Sequence, residues 1–327
     1  MTADPRAVFG MPAYNRPDSL ARTLESLLSQ TFTDFAIVIV DDHSSPQVRE
    51  IVSTYAALNP RLHYDANPVR LGMIGNWRRA FDRSRELYPD FEYFAWVSDH
   101  DSWHPRWLEV LMGVLDDHPE AVLAYPQMQR VYPKRRKTIT RVFDTAGMTR
   151  PAERLHAAVN GMTAGNCIYG LFRARALSQA GVFRPVLAPD RQILVELSLL
   201  GEFRHVREIL WYREVAGMFS YKRQRRMFFP THVPLHTYLP ANVQHFGVLL
   251  WDFAVRGRGR PLFGRIAGVR YAFIQLWYST QREMRRDDGN WWQQALRRRW
   301  IARSARNDAS SSDRRSDLVE DGVAGSK

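Results

Sequence analysis

Two aspartates one residue apart, Asp99 and Asp101, close the apolar run Tyr93-Phe94-Ala95-Trp96-Val97. An unbroken run of strand length, rich in aromatic and branched residues, predicts a strand buried on both faces. Both carboxylates then stand at its carboxyl end, the edge where open α/β sheets bind ligands. Carboxylates held so close repel one another unless a cation or hydrogen-bond donors offset the charge. Magnesium takes one or two protein carboxylates and completes its shell with water and substrate phosphates. The pair therefore suits a divalent cation, magnesium or manganese, on a phosphorylated substrate; the competing use is to shape a turn and cap the next helix. Phe35 to Val40 delivers Asp41 and Asp42 in the same way, and Ala7 to Met11 runs into Pro12, Tyr14 and Asn15.

The elements between these clusters alternate. A helix follows Asp18, with Leu20, Leu24, Leu27 and Leu28 on one face. Others span about Val48 to Leu58 and carry Ile74, Trp77 and Phe81, with a weak strand near Leu62 to Tyr64. This β-α-β-α order predicts a mostly parallel, doubly wound sheet flanked by helices, with the three polar clusters lining one edge. After Asp101 come a helix from Pro105 to Asp117, a strand from Ala121 to Tyr125, a strand from Cys167 to Arg173 and a helix near Arg175. The basic run Lys134 to Lys137 is expected to be a solvated hairpin, the alternative being a loop over the acceptor side.

Pro12-Ala13-Tyr14-Asn15-Arg16, Ile39 to Ser45, Asn67 with Arg70, Gly72 and Asn76, and Asp99-His100-Asp101 before Pro105 and Leu108 resemble, in order and spacing, the family-2 nucleotide-sugar glycosyltransferases of the GT-A fold. The resemblance covers roughly residues 6 to 215. It implies that Pro12, Tyr14, Asn15 and Asp41 or Asp42 hold the nucleoside of the donor and that Arg70 lies near its base or diphosphate. Asp99-His100-Asp101 would be the DxD motif, with Asp99 touching the donor and Asp99 and Asp101 carrying the metal. Two departures stand out: His43 replaces a usual glycine, and Pro46-Gln47 replaces an acidic residue.

A displacement with inversion also needs a carboxylate on the acceptor side to take the hydroxyl proton. Asp190, just before the helical run Ile193 to Leu200 and Gly201, is the catalytic base by this resemblance, with Glu196 as the fallback. Its other reading is a helix cap.

The expected activity is metal-dependent, inverting transfer of a sugar from a nucleoside diphosphate donor to a glycan or lipid-linked acceptor, in cell-surface glycan or glycolipid synthesis. A non-catalytic, membrane-associated nucleotide-sugar-binding protein is the alternative. A nucleotidyltransferase fits less well, because no glycine-rich phosphate loop follows the first strand. A haloacid-dehalogenase-type phosphatase places its Asp-x-Asp at the first strand.

The chain has 327 residues, one cysteine (Cys167) and a formal charge of +12. The lone thiol forms no internal disulfide and no cysteine-rich zinc site. Met218 to Arg306 carries 17 Lys and Arg against 4 Asp and Glu, a local +13, leaving the rest near neutral. Three segments are expected: a catalytic domain over 1–215, a basic, aromatic-rich helical extension over 216–306, and a disordered tail over 307–327. Apolar positions Ile266, Val269, Phe273 and Leu276 recur at helical spacing beside Arg265, Arg270 and Arg282, with Trp277, Tyr278, Trp291, Trp292 and Trp300 nearby. Such helices lie on anionic membrane surfaces or dock on a catalytic domain. No recognition module accompanies the charge, so no nucleic-acid partner is expected. With no secretory signal and no apolar stretch long enough to span a bilayer, the expected location is cytoplasmic, peripheral on the inner face of the membrane.

Overall fold

The central strands alternate two apolar surfaces, and both are covered. Val8, Val38, Phe94 and Trp96 point into one layer of core, while Phe9, Met11, Ile37, Ile39 and Ala95 point into another. Strands buried on both faces need helices on both faces. The computed structural model supplies them, and it describes residues 4–132, 135–139, 142–162, 164–214, 221–257 and 260–285.

The first half is a regular alternation: β1 (Ala7–Ala13), α1 (Pro17–Leu28), β2 (Phe35–Asp41), α2 (Pro46–Ala56), β3 (Leu62–Ala66), α3 (Gly72–Leu87) and β4 (Tyr93–Trp96). The short β5 (Ser102–Trp103), α4 (Trp107–Asp117), the long β6 (Ala121–Tyr132) and β7 (Arg135–Thr138) follow, then α5 (Pro151–Gly161), α6 (Ala164–Cys167), β8 (Leu171–Arg173) and α7 (Ala174–Gln179). The rest comprises α8 (Pro189–Leu200), β9 (Glu202–Glu214), α9 (Tyr221–Phe228), a 3₁₀ turn Leu235–Tyr238, α10 (Ala241–Leu249), a π-helical turn Leu250–Val255, α11 (Arg260–Phe263) and α12 (Arg265–Arg285).

Among the described residues the strands form one sheet in the order β3-β2-β1-β4-β8-β6-β9-β5, with β7 paired to β6. The β3-β2-β1-β4 half is parallel, as expected. The sheet is mixed beyond it: β8 runs antiparallel to β4 and β6, while β6 and β9 are parallel to each other. Of the strand expected over Cys167 to Arg173, only the last three residues pair. Gly170 lies so close to the chain that an added Cβ would meet the Ala124 carbonyl oxygen at 2.5 Å. Of the basic run, Arg135, Arg136 and Lys137 pair antiparallel to β6 and are exposed, as expected of a solvated hairpin, and Lys134 lies outside the described residues.

Local chemistry explains the departures from the family pattern. His43 adopts φ +63°, the left-handed region where glycine is favoured, which is why glycine is usual there. Pro46 opens α2, where its missing N–H costs no helical bond. Asp18 sits in the first turn of α1 rather than at its cap, which is Arg16.

Packing continues past the boundary expected at 215. Phe228, Leu249, Phe253 and Ala272 join the same core as β1 and β4, and the chain divides into compact units at Met1–Tyr278 and Ser279–Lys327. The 307–327 tail and Trp291, Trp292 and Trp300 lie outside the described residues. Among the described residues no helix is long and apolar enough to cross a membrane.

Candidate active site

The carboxyl ends of β1, β4, β6 and β9, with the start of α8 and one face of α9, enclose a cavity of about 1140 Å³. Pro12, Tyr14, Asn15, Asp42, Arg70, Asp99 and Asp190 all line it, so seven of the expected site residues come together from segments up to 178 positions apart in the chain. Such convergence follows from the topology, because parallel strands deliver their following loops to one edge.

The β1–β2 side is built around Asp42. Its oxygens accept the backbone N–H of Leu71 (2.6 Å) and Gly72 (2.9 Å), the start of α3, and its carboxylate lies 3.9 Å from Arg70 Nε. Gly72 has φ +78°, and a Cβ there would meet Pro230 and the Phe228 carbonyl, so the α3 start also seats the end of α9. The Arg70 guanidinium stands 4.3 Å above the Tyr14 ring, and its Nε is buried without a hydrogen-bond partner. Asn15, at φ +49°, accepts the Ser45 N–H through its side chain, tying the β1 turn to the β2 turn.

Two expected residues stand behind this wall. Asp41 does not line the cavity; it accepts hydrogen bonds from the Ser44 N–H (3.0 Å) and the Tyr64 hydroxyl (2.6 Å) and shapes the turn. Asp101 is 1% exposed, and its two oxygens accept Trp211 Nε1–H (3.2 Å) and the Glu214 N–H (2.9 Å). Burial pushes its carboxyl up, against the opposing influence of His100, Ser98, Glu214 and Arg213. The expectation that Asp99 and Asp101 face the cavity together is thus corrected: successive residues after β4 turn in different directions, and His100 takes the outward position. Asp99 accepts the Tyr14 N–H (2.9 Å), and its other oxygen lies 2.9 Å from His100 Nδ1.

Among the described residues, no group of three or more His, Cys, Asp or Glu side chains is arranged to enclose a metal ion. A cation that takes most of its ligands from phosphates and water does not need one. A single carboxylate completed by water and phosphate oxygens suits manganese or magnesium in that role. Asp99 is the carboxylate at the cavity wall that fits such an ion; His100 stands beside it, its Nδ1 2.9 Å from Asp99 and its Nε2 3.9 Å from the buried Asp101.

Across the cavity, Ala188 caps α8 in the left-handed region (φ +49°) and Asp190 is the second helical residue. The preceding loop is clamped: Leu187 donates to Gln244 and accepts from His245, and Ala188 donates to Gln224 of α9. Asp190 has no hydrogen-bond or salt-bridge partner among the described residues. Tyr169 is partly buried and lines the cavity. Burial drives its phenol well above its usual range, Arg213 opposes this, and Asp101, Asp99 and Asp190 add to it. Glu196, the fallback base, is fully buried and accepts the Gly181 N–H and the Gln192 amide, with Arg184 at 3.5 Å. It does not reach the cavity.

Sequence reading missed the far wall. Arg130 and Tyr132 end β6, Arg213 and Glu214 end β9, and Arg223, Gln224, Met227 and Phe228 come from α9. The only signal was the length of apolar-polar alternation in β6 and β9, which carries both strands beyond the expected core segments.

The family model for glycosyl transferase family 2 matches residues 9–175, half of the chain. Among curated relatives, the amylovoran biosynthesis glycosyltransferase AmsB of Erwinia amylovora is 25% identical over 108 residues, 32% of this chain and 34% of that protein. The matched segments span about a third of the length of such relatives. Two solved structures share the fold: S. aureus TarS with UDP-GlcNAc (TM-score 0.53, 15% identity, 75% of this chain and 64% of that one) and the mannosyltransferase PcManGT of Pyrobaculum calidifontis with GDP-Man and Mn2+ (TM-score 0.51, 14% identity, 86% and 76%). The fold is therefore of the GT-A type, and the chain belongs to glycosyl transferase family 2.

Proposed function

We propose that the chain transfers a sugar from a nucleoside diphosphate donor to a glycan or lipid-linked acceptor hydroxyl, with inversion. The observation that carries this is the presence in one cavity of a nucleotide-type wall, Tyr14 with Arg70 and Asp42, and an unpaired carboxylate, Asp190. The Tyr14 ring and the Arg70 plane offer stacking surface to a base, while Arg70 Nε faces Asp42. Binding of UDP-GlcNAc and GDP-Man by the structural neighbours favours a donor of this class. Similarity to an amylovoran biosynthesis enzyme favours a glycan acceptor.

In the reaction, the acceptor oxygen attacks the anomeric carbon from the face opposite the leaving group. The carbon–oxygen bond to the donor phosphate breaks, the diphosphate departs with that electron pair, and Asp190 takes the acceptor proton. The clamped loop before α8 fixes where that carboxylate stands. Asp99, with His100 beside it, would hold the divalent cation, which when bound neutralises charge on the departing diphosphate. Asp101, fixed by Trp211 and Glu214, keeps Asp99 and His100 in register.

The reading includes a location at an anionic membrane surface. On α12 the small or polar Gly268, Ala272 and Gln275 face inward, while Ile266 (89% exposed), Phe273 (56%) and Trp277 (63%) face out with Val269. Trp251, Val255 and Leu262 extend the exposed apolar surface, and Arg256, Arg265 and Arg270 are exposed beside it. Tyr271, Ile274 and Tyr278 of the same helix pack on the core, and the exposed Ile266, Phe273 and Trp277 are left as a face that suits an interface.

Thermal unfolding with UDP and GDP, each with and without manganese, tests the core of this reading. A nucleoside diphosphate should raise the melting temperature by mass action, more so with manganese. Wild-type enhancement by manganese that survives unchanged in both Asp99→Asn and His100→Ala would remove these residues from the cation site, and no stabilisation by either nucleotide would remove the donor class.

A further inference from the structure

Arg130 and Arg213 are register partners on the parallel neighbours β6 and β9, and both side chains line the cavity. Adjacent strands lie about 4.8 Å apart, and like charges placed directly opposite on one face are destabilising unless something offsets them. Two other cations of the cavity have carboxylates: Arg16 lies 3.8 Å from Asp99, and Arg70 lies 3.9 Å from Asp42. Glu214, the carboxylate next to the pair, is bound by Arg22. Neither Arg130 nor Arg213 has a salt bridge among the described residues. Arg213 is nonetheless held rigidly. Its Nη1 donates to the Gly165 carbonyl (2.9 Å), and its guanidinium lies 5.6 Å from the Trp211 ring and 5.8 Å from the Tyr169 ring. Arg223 lines the same cavity from α9.

We propose that Arg130 and Arg213, with Arg223, form an oxyanion subsite that binds a phosphate or carboxylate group carried by the acceptor. A guanidinium presents paired N–H donors that match the oxygens of either group. The position on the sheet separates this subsite from the donor's nucleoside. Tyr14, Asp42 and Arg70 follow β1 and β2, whereas the arginine pair ends β6 and β9, with β4 and β8 between in the strand order. Asp190 shares the cavity, so an acceptor anchored by its anionic group presents a neighbouring hydroxyl to the base. The assignment rests on the transferase reading and narrows it to anionic acceptors.

The same chemistry could serve the donor's diphosphate, and the experiment separates the two. UDP is titrated by calorimetry into the full-length wild type, Arg130→Gln, Arg130→Lys and Arg213→Gln. Inorganic phosphate and glucuronate are then titrated into each UDP-saturated protein, with glucose as the neutral control at constant ionic strength. The expected result is anion binding to the UDP-loaded wild type, weakened at least tenfold by either Gln variant and partly retained by Arg130→Lys, while UDP affinity changes less than threefold. If the Gln variants lose UDP affinity as much as anion affinity, the pair serves the donor diphosphate and the proposal is overturned. UDP binding with no anion binding in the wild type also overturns it, and leaves the transferase reading standing. GDP replaces UDP throughout if only GDP binds, and failure of both nucleotides to bind would sink that reading and this subsite with it.

Discussion

Arg70 lies over Tyr14 at 4.3 Å, while Asp42, 3.9 Å from Arg70 Nε, accepts the backbone N–H groups of the two residues that follow it. One carboxylate thereby fixes the loop and biases the position of the guanidinium, and the stacked pair forms the cavity wall that the proposed function assigns to the donor. Tyr14→Ala should weaken UDP binding by about 1–2 kcal/mol, roughly 5- to 30-fold, from loss of the cation–π contact and of stacking surface. Arg70→Lys should recover little of an Arg70→Ala defect, because an ammonium lacks the planar face. Calorimetric titration of UDP reads both effects; equal affinity in Tyr14→Ala and wild type would remove the wall from the donor site.

Asp190 and Glu196 both lie on α8, about 1.7 helical turns apart, and should behave in opposite ways. Asp190→Asn keeps size and removes the basic lone pair, so transfer should fall by a factor on the order of 10² to 10⁴ with UDP affinity nearly unchanged. Glu196→Gln weakens the acceptor of the Gly181 N–H while Arg184 keeps Asp252, so it should cost stability only modestly, about 1 kcal/mol, with the folded enzyme still active. Initial rates normalised to folded protein, with denaturant titrations alongside, separate the two. Near wild-type turnover in Asp190→Asn would move the base elsewhere.

The difference between these two acids was only half legible in the sequence. Regular alternation of apolar runs and helical stripes gave β1 to β4 and their helices, because each strand is buried on both faces and each helix carries its own stripe. Motif spacing then brought Tyr14, Asp42, Arg70, Asp99 and Asp190 to one edge. Which of two neighbouring carboxylates faces the ligand depends on hydrogen bonds from distant elements, and those were invisible. Tyr64 claims Asp41, Trp211 and Glu214 claim Asp101, and Gly181 claims Glu196. The α9 wall was hidden for a related reason: Tyr221 to Phe228 is strongly polar, and its place depends on the close approach that Gly72 permits.

His245 links acidity to the loop that carries the base. It is buried, hydrogen-bonded to the Leu187 carbonyl, and burial lowers its pKa to about 4, with Arg191 pushing the same way. The unfolded chain takes up this proton near pH 6.5 and the folded chain only near 4. Stability is therefore fully present above about pH 6.5 and is lost as pH falls toward 4, by about 3 kcal/mol from this group. Denaturant titrations at pH 7.5, 6 and 5 should show the decline, and His245→Gln should flatten it. An unchanged slope in the variant would assign the decline to other groups.

The outward face of α12 should control membrane attachment independently of folding. Ile266, Phe273 and Trp277 are exposed, so replacing all three with Ser should leave the melting temperature within a few degrees. Their loss removes the apolar insertion, and what remains is electrostatic attraction worth about 1 kcal/mol for each Lys or Arg near the surface, screened by salt. Vesicle co-sedimentation should therefore show salt-sensitive binding of the wild type to anionic but not neutral lipid, with the triple variant at least tenfold weaker. A second copy of the chain is the rival occupant of this face. It would appear as a wild-type dimer in sedimentation velocity without lipid and a monomer in the variant. That outcome, or equal binding of wild type and variant to anionic vesicles, would assign the helix a role away from the membrane.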